Sequence, residues 1–263
     1  GLSSRTATSE IFDAKSNKWH LTDSMTVAVE LASGVLLENG IVLVTGGWDG
    51  SGPVTTTGLF KPDTGEWEKG PELVNARWGH ASILLHDGTV LITGGVSSDG
   101  TAIGSSEIYD PGTQDIKLSS SMKFPRDGHK LVMNEDGIVL AAGGYGLDGR
   151  PLPHSEVFEA TSGKWTTVGS MESPRSAHSA LLLSNGTALV VGGAVDFDTP
   201  LATAEIFDFD TGLWNSAGSM KDARMDHSTV QLKSGEVYVT GGFGLNPVAS
   251  IEVYQPGGGG WST

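Results

Sequence analysis

The chain has 263 residues, with 16 Lys and Arg against 31 Asp and Glu, a formal net charge of −15, and no cysteine. The missing thiols exclude disulfides, thiolate metal centres and cysteine nucleophiles, and the acidic balance argues against nucleic acid or an anionic membrane as partner, because their phosphates are repelled. No apolar run approaches the roughly 18 residues of a membrane span, and much Gly, Ser and Thr beside little Lys slightly favours an exported protein over a cytoplasmic one.

The first recognisable segment, residues 6–19, is a short strand, Glu10-Ile11-Phe12, a turn, and Trp19 on a partner strand. It returns at Gly58-Leu59-Phe60 with Trp67, Glu107-Ile108-Tyr109 with Ile116, Glu156-Val157-Phe158 with Trp165, Glu205-Ile206-Phe207 with Trp214, and Glu252-Val253-Tyr254 with Trp261. Two residues before each Trp slot stand Asn17, Gly65, Gln114, Gly163, Gly212 and Gly259. Gly or Asn there predicts a left-handed turn residue. Gln114 departs from the pattern, and its hairpin is expected to be looser.

Between these copies runs a second segment: an apolar strand, a tight turn, a second apolar strand and a glycine doublet. Its turns read Glu38-Asn39-Gly40, His86-Asp87-Gly88, Glu135-Asp136-Gly137, Ser184-Asn185-Gly186 and Lys233-Ser234-Gly235. Asn-Gly and Asp-Gly between apolar runs predict type I′ hairpins, with positive φ at both central residues. Runs such as Val42-Leu43-Val44 and Ala188-Leu189-Val190-Val191 lack polar alternation, which predicts strands buried on both faces. The doublets Gly46-Gly47, Gly94-Gly95, Gly143-Gly144, Gly192-Gly193 and Gly241-Gly242 are spaced by 48, 49, 49 and 49 residues. They predict close backbone approach, and each Trp is expected to fill space between adjacent sheets.

Each period thus holds four short strands, two inner and buried, two outer and half-exposed. Such a sheet cannot bury both faces alone, and repetition about an axis solves the problem. The expectation is an all-β β-propeller of four-stranded blades, a single domain over residues 1–263. It has five complete repeats plus a surplus outer half-blade at residues 1–19, either a five-bladed ring or an incomplete six-bladed one. A half-blade with an open edge invites completion by another chain.

The recurring block Arg-x-x-His, apolar strand, Asp/Asn-Gly, apolar strand, Gly-Gly, Glu-aromatic, Trp resembles the kelch repeat, and Asp87-Gly88-Thr89-Val90-Leu91-Ile92-Thr93-Gly94-Gly95 is closest in style to its galactose-oxidase-like branch. The resemblance implies a binding platform more often than an enzyme. The oxidases of that branch use copper with a Tyr–Cys crosslink, which a chain without cysteine cannot form. No catalytic residue, metal or other cofactor is therefore assigned. The resemblance leaves two alternatives: a sugar-processing enzyme of mutarotase type with Arg and His at the channel mouth, and a structural spacer in a larger surface assembly.

Arg77, Arg126, Arg175 and Arg224 each precede a histidine by three residues (His80, His129, His178, His227), whereas the first repeat has Val29 and Ala32. They form either a ring of cations at one mouth or hydrogen-bonded pins between blades. Separate blades hold the histidines too far apart for a compact metal site. The loops after the doublets carry Trp48-Asp49, Asp99, Tyr145, Asp148, Asp196-Phe197-Asp198 and Phe243; those before the inner strands carry Trp78, Phe124-Pro125, Asp127 and Met225-Asp226. Aromatics beside Arg and Asp suit recognition of a protein or glycan by stacking and paired hydrogen bonds. The candidate ligand-binding residues are Trp48, Asp49, Arg77, Trp78, Arg126, Tyr145, Arg175, Arg224 and Phe243.

Overall fold

The computed structural model describes residues 6–196, 198–258 and 260–263. Residues 1–5, Phe197 and Gly259 lie outside the described residues, and with them part of the surplus half-blade, part of the Asp196–Asp198 loop and the sixth left-handed slot. Every regular element among the described residues is a strand. An isolated hairpin, β1 (Glu10–Asp13) and β2 (Lys18–Leu21), comes first. Five antiparallel four-stranded sheets follow. The first is β3 (Ser33–Leu36), β4 (Val42–Thr45), β5 (Thr57–Lys61) and β6 (Glu66–Lys69), and the second is β7 (Ala81–Leu84), β8 (Val90–Thr93), β9 (Ser106–Asp110) and β10 (Asp115–Leu118). The third is β11 (Lys130–Met133), β12 (Ile138–Ala142), β13 (Ser155–Glu159) and β14 (Lys164–Thr167), and the fourth is β15 (Ser179–Leu182), β16 (Ala188–Val191), β17 (Thr203–Asp208) and β18 (Leu213–Ser219). The fifth is β19 (Ser228–Gln231), β20 (Val237–Thr240), β21 (Ile251–Gln255) and β22 (Gly260–Ser262). These are the blades of a β-propeller fold, five complete and one half, as the repeat predicts. The chain groups into two compact units, Gly1–Ser120 with the hairpin and the first two sheets, and Ser121–Thr263 with the other three.

The inner turns differ from the expected type I′. In the first sheet Leu37 and Ile41 close a three-residue loop, the Gly40 N–H donates to the Leu37 carbonyl, and Gly40 alone takes positive φ, 83°. Asn39 is chosen for its side chain, whose Oδ1 accepts the Ile41 N–H. Asp87 and Asn185 accept from Thr89 and Thr187 in the same way. This is the longer hairpin loop, with one left-handed glycine instead of two left-handed residues. The Gln114 hairpin is also not looser: Gln114 adopts φ 56°, and β9 and β10 pair in unbroken register. Asp110, which accepts the Gly112 N–H, holds that turn without help from glycine.

Burial follows position within the sheet. The second strand is the most enclosed in every sheet but the first, as in β8 and β16, where every residue is buried. The first strands, expected to be buried on both faces, are only half-covered, as in β3 and β7, because a strand at a sheet edge lacks a neighbour on one side. The third strands, expected to lie further out, are largely buried through their Glu and aromatic residues. Cores form between consecutive sheets. Leu37, Leu43 and Leu59 of the first pack with Val90, Ile92 and Tyr109 of the second, and Leu189 and Val191 of the fourth with Val237, Val239 and Tyr254 of the fifth.

The doublets do what was expected of them. A Cβ on Gly46 would come within 2.5 Å of the Arg77 carbonyl oxygen, and one on Gly192 equally close to that of Arg224. The Gly47, Gly144 and Gly193 N–H groups donate to the carbonyls of Arg77, Arg175 and Arg224, so these doublets tie one sheet to the next within each unit. The repeat tryptophans also reach across. Trp67 Nε1 donates to Ser9 Oγ, Trp214 to the Gly169 carbonyl and Trp261 to that of Ala217, while each indole packs on its own aromatic partner, as Phe60 and Trp67 do at 5.0 Å. The β1–β2 hairpin is the exception: among the described residues β1 pairs with β2 alone, and Phe12, Trp19 and Leu21 are exposed.

Candidate functional site

The repeated polar residues are buried machinery. Arg77, Arg126, Arg175 and Arg224 are fully excluded from solvent. Each forms an ion pair with a buried glutamate of the third strand of its own sheet: Arg77 with Glu107 (2.7 Å), Arg126 with Glu156 (3.1 Å), Arg175 with Glu205 (2.5 Å) and Arg224 with Glu252 (2.9 Å). Arg175 also donates to the carbonyls of Gly192 and Thr203, while Glu205 accepts from the N–H groups of Glu172 and Ser173. The clamp fastens the segment entering a sheet to that sheet's third strand. Burial pulls Arg77, Arg126 and Arg175 below their ordinary pKa, and the paired carboxylates oppose it. The four arginines expected to face a ligand are thus corrected to a structural role, since no ligand atom reaches a wholly buried guanidinium already committed to a carboxylate.

The glutamates are what sequence reasoning missed, and a signal was available. The one full repeat without the arginine, where Val29 stands in its place, also lacks the glutamate and has Gly58 instead. A small cavity of about 20 Å³ remains there, lined by Val29, Val44, Gly58 and Trp67 among others.

The histidines are also internal. Thr45, at the end of β4, bonds the Nε2 of His80 at 2.8 Å, and Ser179 bonds that of His227 at 2.9 Å. For His178 the residue corresponding to Thr45 is Ala142. Its backbone lies near the ring without hydrogen-bonding geometry, so neither ring nitrogen of this buried histidine is satisfied. Ala142→Thr, the residue found at the same position as Thr45, Thr93 and Thr240, is expected to supply the partner. It should stabilise the fold by about 1 kcal/mol, a rise of about 2–4 °C in thermal midpoint. A lower midpoint would mean that the extra atoms do not fit.

The varied residues gather where the loops before and after the inner strands pair through single β-bridges. In the first unit Glu30 pairs with Trp48 and Trp78 with Val96. Glu30 and Trp48 exchange N–H···O bonds of 3.1 and 2.8 Å. Leu31 takes positive φ, 57°, and its carbonyl accepts the Gly79 N–H of the neighbouring loop. This brings the half-buried rings of Trp48 and Trp78 into edge-to-face contact, with centroids 6.1 Å apart and planes at 82°. Asp49 faces its own loop and accepts from the Ser51 N–H, the Ser51 hydroxyl and the Gly52 N–H. In the second unit Asp127 pairs with Tyr145, Ser176 with Ala194 and Met225 with Phe243. Phe243 is exposed, and partial burial pushes the Asp127 carboxyl up to about 6. Within each unit the loops before and after the inner strands are therefore joined backbone to backbone. Glu30, which carried no motif, is a member that sequence reasoning overlooked.

Residues 32–242 match the family model of the KLHDC2/KLHL20/DRC7 Kelch-repeats domain. The chain belongs to the Kelch-repeat family. Among solved structures, that of YjhT is similar to this Kelch-repeat chain, with a TM-score of 0.78 at 16% identity, over 100% of this chain and 92% of that one. Identity that low speaks for the fold alone. No curated protein sequence matches the chain. Among the described residues, no group of three or more His, Asp or Glu is arranged to hold a metal ion.

Proposed function

We propose that residues 1–263 act as one non-enzymatic recognition domain that binds a protein or glycan through the loops joined by the β-bridges. The observation that carries this reading is the Trp48–Trp78 pair: two half-buried indoles in contact, on loops whose backbones are fixed, at positions where the other repeats differ. Tyr145 and Phe243 are the corresponding aromatics of the second unit. Rigid aromatic anchors of this kind dominate recognition surfaces because they offer large area at low entropic cost. The test is a glycan array and a protein-interaction screen on the native chain. Replacing Trp48 and Trp78 together by alanine is expected to weaken capture of any hit at least about 30-fold, from roughly 2 kcal/mol of lost contact. Undiminished capture by a variant with native circular dichroism would refute this surface.

The edge of β1 opposite β2, unpaired among the described residues, supports a second element of the proposal, uptake of a strand from another chain. Residues 8–13, Thr-Ser-Glu-Ile-Phe-Asp, nearly repeat residues 203–208, Thr-Ala-Glu-Ile-Phe-Asp, and in the latter Ala204, Glu205, Ile206 and Phe207 pair with β16. A strand paired along one edge, with exposed Phe12 and its apolar neighbours, is a template for addition along the other. Association that strengthens with concentration is expected in sedimentation, and Ile11→Lys should abolish it. A strictly monomeric native chain at high concentration would rule the idea out.

A further inference from the structure

We propose that Trp48, Trp78 and Glu30 form a receptor for a cation, specifically the guanidinium of an arginine displayed by a protein partner. The inference rests on the recognition reading and assigns the ligand's chemistry at the same site. Four observations carry it. First, the two indole planes stand at 82° with centroids 6.1 Å apart, so they supply two walls of a corner. The face of an indole is the best aromatic partner for a cation.

Second, Glu30 stands directly opposite Trp48 in a bridge where both residues exchange hydrogen bonds. Side chains so paired project to the same side, which places an exposed carboxylate beside the aromatic wall. Third, these tryptophans do no structural work comparable to that of the repeat tryptophans. Trp67, Trp214 and Trp261 each spend the indole N–H on the neighbouring sheet, whereas among the described residues neither Trp48 nor Trp78 donates one to a protein acceptor. The corresponding positions hold Val96, Tyr145, Ala194 and Phe243 for Trp48, and Glu30, Asp127, Ser176 and Met225 for Trp78. The fold therefore does not require an indole at either place, and the pair is particular to this corner. Fourth, a net charge of −15 draws a cationic partner toward the protein and repels an anionic one. A guanidinium suits the corner because it can stack on one ring while its edge donates to the carboxylate. A neutral sugar would gain from the rings but nothing from the charge of Glu30.

The experiment titrates the full chain with acetyl-Gly-Arg-Gly-amide and with its citrulline counterpart, which keeps the shape and loses the charge, while the indole N–H signals are followed by NMR. The arginine peptide is expected to shift the Trp48 and Trp78 signals, and the citrulline peptide to bind about fivefold more weakly or less. Trp48→Leu and Trp78→Leu, which retain apolar bulk, should each lower affinity for the arginine peptide by a similar factor. Glu30→Gln should lower it about two- to threefold and flatten its salt dependence. Equal binding of the two peptides, or shifts confined to other signals, overturns the cation assignment. The recognition surface survives that result if Trp48→Ala/Trp78→Ala still loses a screened ligand. If that loss is also absent, both readings fall.

Discussion

Arg175→Ala is expected to destabilise the protein by about 3–5 kcal/mol, the usual consequence of breaking a buried ion pair from one side. Arg175 has no solvent exposure, and its removal strands the Glu205 carboxylate in the interior with only the Glu172 and Ser173 N–H groups for partners. The carbonyls of Gly192 and Thr203 lose a donor in the same step. For a chain of this size the thermal midpoint should fall by about 6–20 °C, taking roughly 2–4 °C per kcal/mol. Arg175→Lys should recover little, since an ammonium cannot span the carboxylate and both carbonyls with one planar fork. The double change Arg175→Met with Glu205→Met should cost less than Arg175→Ala alone, because no charge is left unpaired. Val29 and Gly58 are a natural precedent for doing without both partners. Urea unfolding of the three variants decides the matter; a loss below about 1 kcal/mol for Arg175→Ala would show that the clamp is dispensable.

Stability should fall as pH drops from about 6.5 toward 4, with a slope near 3 kcal/mol per pH unit. Burial holds His80 down to about 3 and His227 to about 4, and keeps His178 well below its ordinary range; nearby arginines add to the effect. In the unfolded chain each regains a pKa near 6.5. A group whose folded pKa is depressed is neutral in both states above the unfolded value, so its full contribution is present there. Below it the unfolded chain takes up a proton that the folded chain refuses, and stability declines at about 1.4 kcal/mol per pH unit for each such histidine. Asp127 works in the opposite sense. Its folded pKa, about 6, lies above the unfolded value near 3.9, so between these limits the folded state gains a proton first and stability rises as pH falls. The three most strongly depressed histidines less one aspartate leave a net uptake of about two protons, and His154, also held below its ordinary value by burial, acts in the same sense. Asp127→Asn should therefore steepen the decline to about three protons and His227→Gln should reduce it to about one, both read from the pH dependence of the urea midpoint. A flat profile between pH 6.5 and 4 would contradict the neutral, buried state of these rings.

Much of the fold was readable one hairpin at a time. Asn39-Gly40 and Asp87-Gly88 mark turns wherever they occur, the even spacing of the doublets counted the five sheets, and the sixth copy of the aromatic–Trp segment marked the extra hairpin. The finer turn type was not readable, because Asn before Gly serves two purposes. It can adopt a left-handed conformation, or it can accept the N–H two residues on, and here it does the second. Gln114 was misjudged for a related reason: Asp110 braces the turn from a position that composition counts do not connect with it.

At the candidate site the aromatic residues lie on bridged loops, whereas the arginines lie inside the sheets. Trp48, Trp78, Tyr145 and Phe243 stand where loop length alone puts them. Arg77 and its copies looked equally available, yet each guanidinium lies at the end of a long side chain and can point into the sheet or out of it.

Repeat length, strand order within each sheet and the position of each turn were thus already present in the linear chain, because they rest on contacts close in sequence. Which arginine meets which glutamate, why His178 lacks the partner that His80 has, and that Trp48 meets Trp78 at a right angle depend on segments about 30 residues apart or more being packed together. Burial then chooses among the roles open to each side chain: a charge enclosed without water must find its counter-charge, and a ring left partly uncovered remains free to meet a ligand.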